Sequence, residues 1–426
     1  MSLSFNDLRN IMDTAGKTCP TGRDFVVYIL PIFPLQYMMG VLVQLKHTTL
    51  LRIALLPMIL WGVLRALLAL DFSCGQQDQG MRNAAFVTYM TSIVAHATVW
   101  TLVREPYKRD NVGATESTSF PMACWNAWDL LLNVRGIGWN WSQGIPIPQS
   151  SNKSRSRTLF ILLAVTRLAF CVVALDALTE AQLSHYPNMS PRDIRSIFDH
   201  SLPPIPRYIR ALQLIFLNFW LGYFTIEMIY QLLSAIFVIL FWQHPSQWPP
   251  LFDKPLSSTS LSDLWGRRWH QILRHLAVAL GGAPIAYLLG RPGKVLGTFL
   301  LSGAIHCIQF RASGHGGSAA IEGSFYVMHA VGVLLERAWL KMTGRRVSGL
   351  YGWMWTLLWV TIWAAPMVDQ WAETGRFGFD TFGGSRPTMA LLSWILPTGA
   401  DKSFAANCLY FGISVPFLVY TLFTLP

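Results

Sequence analysis

The sequence predicts an all-α polytopic membrane protein, with about eight to ten transmembrane helices plus re-entrant and amphipathic helices around an internal tunnel. Three observations carry that expectation. Apolar residues make up 52% of the 426 and charged residues only 13%, against about 25% charged in ordinary globular chains. Mean hydropathy is positive, and 18 Trp with 25 Phe can supply the aromatic belts found at membrane–water boundaries. Apolar runs of the length a bilayer demands, about 20 residues, recur from one end to the other.

In chain order, residues 1–24 are mixed and polar, without a basic-then-apolar leader. Residues 25–426 read as a single multispan domain. Apolar stretches follow at 25–45, 49–70, 83–103, 158–178, 211–242, 271–290, 295–312, 324–340, 350–371 and 388–425. The last is long enough for two segments, with Pro397, Gly399, Asp401 and Lys402 as the break. The six cysteines are scattered with no C-x-x-C pair, so neither a disulfide framework nor a zinc site is expected. A net charge of +11 lies between the apolar runs rather than along one stripe. That pattern sets topology and attracts anionic lipid, and it argues against nucleic-acid binding.

Loop charge orients the spans. Residues 104–157 hold seven Lys and Arg, which places this loop in the cytosol, 179–210 in the lumen and 243–270 in the cytosol again. Simple alternation would then leave Lys341, Arg345 and Arg346 in the lumen. A re-entrant segment over 276–290 removes the conflict and keeps Arg291 and Lys294 cytosolic. Gly281-Gly282-Ala283-Pro284 is the helix break expected to make that dip. Sequons stand at Asn140, Asn152 and Asn188, and only Asn188 is lumenal on this topology, hence a glycosylation candidate.

The chemistry gathers between Trp248 and Phe310. A Pro-rich approach, Trp248 to Pro255, leads into Ser260-Leu-Ser-Asp-Leu-Trp-Gly-Arg-Arg-Trp-His270, read as an amphipathic helix over 260–275. Ser260 with Asp263 forms its capping box. Leu261, Leu264, Trp265, Arg268, Trp269, Ile272 and Leu276 share one face at 3.6-residue spacing, opposite Arg267, His270 and Arg274. One reading is a surface helix gripping anionic lipid. The other is that Arg267, Arg268 and Arg274 receive a phosphate-bearing ligand, which the planar guanidinium fork suits. His306 sits within the apolar run 295–310, four residues after Ser302 and so on its helix face, while Gly297 and Gly303 permit close approach of a neighbour. An ionisable residue in a span is a functional-site candidate by default. The alternative is a neutral imidazole bonded to a backbone carbonyl.

These motifs, Pro250-Leu-Phe-Asp-Lys-Pro255, Ser260 to His270 and Leu301-Ser-Gly-x-x-His306, resemble the wax-synthase-like branch of the membrane-bound O-acyltransferases. Asn133-Val-Arg-Gly-Ile-Gly-Trp-Asn-Trp141 resembles a second signature of fungal members. Together they cover about residues 125–345. The resemblance implies an acyl-CoA:alcohol acyltransferase that acetylates a hydroxyl of a lipophilic terpenoid or meroterpenoid from acetyl-CoA. It gives His306 as the buried catalytic base and His270 as a second active-site group, where related branches carry Asn or Asp. Trp265, Trp269 and Ser302 join the three arginines as substrate-binding candidates. It implies no permanently bound cofactor and a place in the endoplasmic reticulum membrane. Long-chain acyl transfer to make wax esters stays open beside acetyl transfer. A transporter of a lipophilic metabolite is the rival of another class, and a membrane cyclase using Glu227 as acid is a second. His315 and His329 could line a tunnel, beside the plainer reading of loop and packing residues, and His96 is alone on its span.

Overall fold

The computed structural model describes residues 16–110, 118–133, 135–142, 146, 148, 156–186, 196–314, 316–378, 382 and 385–395. Its regular elements are helical, and the chain is organised by α1 (Ile32–Leu42), α2 (Thr49–Ala69), α3 (Gly80–Leu102), α4 (Phe120–Leu132), α5 (Arg157–Ser184), α6 (Pro204–Leu240), α7 (Ala283–Ala312), α8 (Ala319–Thr343), α9 (Gly349–Glu373) and α10 (Pro387–Ile395). Among the described residues, seven helices are long and apolar enough to cross a membrane. The chain is an integral, multi-pass, all-α protein. His315, Asn152, Asn188 and the second half of the last apolar stretch lie outside the described residues.

Two compact units divide the chain, Met1–Ile145 with Gln271–Leu334, and Pro146–His270 with Leu335–Pro426. In the first, α1, α2 and α3 share a core of Ile32, Met39, Ile59, Val63, Met90, Ile93 and Trp100, joined by Leu276. Arg52, buried in α2, donates to the carbonyl oxygens of Trp100 and Val103 at the end of α3, so a charged side chain satisfies orphan carbonyls at a helix terminus. Against expectation, Cys19 and Cys74 form a disulfide across 55 residues. Backbone bonds of Thr18 with Ala69 and Asp71 bring the two segments side by side, a pairing that sequence spacing does not reveal.

The expected break at Gly281–Pro284 is also corrected. The chain stays helical there, as a π-helical stretch Ala277–Gly282 running into α7. It reverses at Gly290, whose φ of +62° and ψ of −146° interrupt the helix in a region open to glycine. The result is a helical hairpin. A Cβ on Gly281 would fall 2.2 Å from the Gly297 carbonyl oxygen, and one on Gly293 2.4 Å from that of Ile285, so the arms meet backbone to backbone. The return arm is antiparallel to α3: Gln309 donates to Thr88 at 2.5 Å, while Tyr107, past the end of α3, meets His275 at the other arm's base. Arg291 and Lys294 follow the reversal at Gly290, at the tip of this hairpin.

In the second unit α5 and α6 pair along their length. Phe160 and Ala164 pack on Ala235 and Val238 at one end, and Asn218 donates to Gln182 at 2.9 Å farther along. Buried Asp176 of α5 takes a 2.8 Å bond from the Thr388 amide and a 3.1 Å bond from Arg386, which fastens α10.

Candidate active site

The approach and motif 248–270 lie in the second unit. They do not form the single helix expected over 260–275. Leu261–Asp263 is one helical turn, Leu264–Arg268 a π turn, and Trp269 is extended with φ −77° and ψ 151°. Ser260 caps the turn, its side chain accepting from the Asp263 amide at 3.0 Å, whereas the Asp263 carboxylate, expected to complete a capping box, holds Arg267 and Arg268 instead. The unforeseen residue is Glu336 of α8. Its carboxylate, 7% exposed, accepts from the amides of Leu261 at 2.6 Å and Ser262 at 2.9 Å, from the Ser262 hydroxyl at 2.7 Å and from Trp355 Nε1 at 3.0 Å. A carboxylate at a helix start satisfies orphan amides and complements the dipole.

That clamp sets the motif's side chains. Trp269 packs among Phe219, Phe252 and Trp265 at ring-centroid distances of 5.3, 4.9 and 6.0 Å. His270 meets Phe252 edge to face at 5.9 Å and Trp269 at 5.6 Å. Arg267 bridges Asp253 at 2.5 Å and Asp263 at 2.9 Å. Arg268 binds Asp263 at 2.5 Å and donates to the Asp253 carbonyl at 3.2 Å. Both guanidinium groups are thus held in place by acids on the approach and on the motif itself, and Arg267 keeps 43% of its side chain exposed.

The other candidates lie in the first unit. Arg274, Ser302 and His306 belong to the hairpin, Arg274 at the base of its first arm and the other two on its return arm. His306 is partly buried and stacks on Tyr326 of α8, with centroids 4.8 Å apart and planes 13° from parallel. Gly303 makes the contact possible: a Cβ there would lie 3.0 Å from Tyr326 Cβ, so the expected role of Gly303 in close approach holds. Two further histidines of this unit's helices lie close to backbone carbonyls of their own helices. His96 Nδ1 lies 2.8 Å from the Ser92 carbonyl oxygen. His329, fully buried, has Nδ1 2.6 Å from that of Phe325.

The second signature, 133–141, is a scaffold. Asp129 accepts from Trp139 Nε1 at 2.8 Å and from Arg109 at 2.8 Å. Asn133 bonds both backbone groups of Ile137. Gly136 has φ +67°, and a Cβ there would overlap Trp141 at 2.5 Å, so glycine is required on both counts. Trp141 in turn lies on His275, centroids 4.3 Å apart, and on Tyr107 at 5.7 Å. Burial pushes the Tyr107 phenol well above its ordinary value, which keeps it a neutral partner 3.3 Å from His275 Nε2. Asn140, one of the sequons, accepts from the Lys108 amide at 3.0 Å and donates to Pro106. Neither Tyr107, Tyr326 nor Glu336 carried a motif signal; each matters through a contact distant in sequence.

A helical, multi-pass membrane protein with this motif segment defines the class. Residues 248–328 match the model of the membrane bound O-acyl transferase family. The chain is 29% identical over 164 residues to Acetyltransferase aurG of Calcarisporium arbuscula, covering 34% of this chain and 39% of that one. It is 25% identical over 317 residues to Acetyltransferase atnC of Arthrinium sp, 68% and 70% of the two chains. To Acetyltransferase ple2 of Rhodocybe pseudopiperita it is 25% identical over 333 residues, 74% and 81%. The alignment thus spans under half of the first relative and over two thirds of the other two. No solved structure matches the chain. Residues 248–328 thus resemble the membrane bound O-acyl transferase family, and over two thirds or more of its length the chain is similar to two fungal acetyltransferases.

Proposed function

We propose that this enzyme transfers an acetyl group from acetyl-CoA to a hydroxyl of a lipophilic secondary metabolite of terpenoid type, within the endoplasmic reticulum membrane. The observation that carries the reading is His306, an ionisable side chain on an apolar hairpin inside the family-matched segment. The curated names of the relatives support acetyl as the group transferred.

The roles are assigned residue by residue. His306, neutral, takes the hydroxyl proton as the alcohol oxygen attacks the thioester carbonyl. The C–O bond forms, the C–S bond breaks, and the proton passes to the departing thiolate of coenzyme A. General-base catalysis of this kind contributes about 10²–10⁴-fold. His270, braced by Phe252 and Trp269, is the second polar group of the reaction. Arg267, Arg268 and Arg274 receive the phosphates of the donor, by exchanging carboxylate partners for phosphate in the first two cases. Trp265, Trp269 and Ser302 bind substrate. Exclusion of water from the thioester prevents its hydrolysis. Asn188 is the glycosylation site on this reading.

Membranes of a host expressing the chain should release coenzyme A and yield a lipophilic product heavier by one acetyl group. The variant His306→Ala should lose that product by about 10²-fold or more while accumulating normally. Wild-type turnover by that variant rejects the base role. Neutral wax esters in place of the acetylated product would assign long-chain acyl groups instead.

A further inference from the structure

The stack between His306 and Tyr326 has no counterpart in the motifs. Parallel rings with centroids 4.8 Å apart and planes at 13° present the imidazole with the negative face of an aromatic quadrupole. The arrangement is built rather than incidental. α7 and α8 approach closely at this level: Gly303 leaves room for Tyr326 Cβ and ring, with 3.0 and 3.3 Å to a Cβ it lacks. Cys307 Sγ reaches the Ala319 carbonyl at 3.4 Å, and a Cβ on Gly323 would sit 3.6 Å from that sulfur. Two glycines and a thiol thus bring the two backbones together at the residues flanking His306.

A neutral imidazole gains little from an aromatic face beyond packing. An imidazolium gains a cation–π attraction, effective within about 6 Å of the centroid. On the reading given above, His306 carries a positive charge only after it has taken the hydroxyl proton. An interaction that strengthens as charge develops lowers the barrier without tightening the ground state. Resting on that reading, we propose that Tyr326 is a positioning residue for the acyl transfer: its ring fixes the plane of His306 and stabilises the charged form that arises during reaction, and Gly303 exists at its position to admit that ring.

The test uses the full-length enzyme in membranes, with acetyl-CoA as donor and the alcohol identified by the host comparison as acceptor. Tyr326→Phe and Tyr326→Trp keep the aromatic face and should hold kcat within about twofold. Tyr326→Leu should lower kcat by about 3- to 30-fold, the rate equivalent of a desolvated cation–π contact, with KM for acetyl-CoA within about twofold. Gly303→Ala should fall in the same direction. In a His306→Ala background, Tyr326→Leu should cost nothing further, because coupled residues are non-additive. An acceptor-free measurement runs beside these: carbethoxylation of His306 by diethyl pyrocarbonate, read by peptide mass spectrometry, should speed up several-fold in Tyr326→Leu and not in Tyr326→Phe, as the ring shields one face. Wild-type kcat in Tyr326→Leu, or an equal loss in Tyr326→Phe, overturns the proposal. If His306→Ala itself retains turnover, the base reading fails first, and that outcome is separate from an active-site histidine whose neighbour has no effect.

Discussion

Glu336 shows what a single side chain does for the family motif. Ser260 to His270 has weak helical structure of its own: one α turn, one π turn and an extended tryptophan. Helices this short are marginal without outside support. The carboxylate of Glu336 provides it by accepting four hydrogen bonds, two of them from the first amides of the turn. Removing it should strand buried donors at about 1–3 kcal/mol for each one left unpaired. Glu336→Leu should therefore lower the thermal midpoint of the detergent-solubilised enzyme and expose the motif to protease, whereas Glu336→Gln, still an acceptor, should lose less. Equal midpoints for Leu and wild type would show that the clamp is not a stabilising element. Arg267 and Arg268 were legible as a basic pair in the sequence, and their carboxylate partners Asp253 and Asp263 lay in the same motif. The 4- and 14-residue spacings from Arg267 to those partners include one that only the folded approach makes short.

At the level of elements, the hairpin formed by the π-helical stretch and α7 is the departure from expectation with the clearest cause. Gly281, Gly282 and Pro284 suggested a broken helix because glycine and proline destabilise helix interiors. In the fold the glycines serve packing instead. Gly281 and Gly297 face each other so closely that a Cβ on Gly297 would sit 2.1 Å from the Gly281 carbonyl oxygen, and Pro284 stands at the junction where the π-helical stretch passes into α7. Close backbone contact at small residues is a common way for helices to associate in lipid. Gly297→Ala should thus abolish accumulation of folded enzyme. Gly222→Ala, in the interior of α6 with nothing within 4 Å of the new Cβ, should be neutral or stabilising by up to about 1 kcal/mol. Comparable yields and midpoints for the two variants would discard the packing argument. The spacing of Gly297 and Gly303 announced close approach correctly, but not which surfaces would meet.

On the scale of the molecule, the Cys19–Cys74 disulfide ties topology to compartment. Disulfides persist in oxidising spaces such as the lumen of the endoplasmic reticulum. The bond sits at the N-terminal end of α3, and Arg291 and Lys294 stand toward the opposite end. The expected outcome is a lumenal disulfide with a cytosolic hairpin tip. In intact microsomes an epitope at residue 292 should be reached by antibody from outside, and Cys19 and Cys74 should resist alkylation until reduced. Cys19→Ser should cost about 2–4 kcal/mol of stability, the usual effect of removing such a crosslink. Free thiols at both positions in native membranes, or a shielded epitope, would reverse the orientation.

The class of protein was determined by the sequence alone, because long apolar runs with few charges leave a helix in lipid as the only way to satisfy every backbone group. The motif around His270 and the isolated His306 were likewise visible, since rare polar residues in apolar surroundings stand out one by one. Tertiary structure decided the rest. The partners of those residues, Tyr326 beneath His306, Glu336 at the start of the motif, Trp141 on His275 and Cys74 opposite Cys19, are separated from them by 20 to 134 residues. Periodicity and spacing report neighbours along one element, whereas these contacts exist only once separate elements pack and bring unrelated positions within reach.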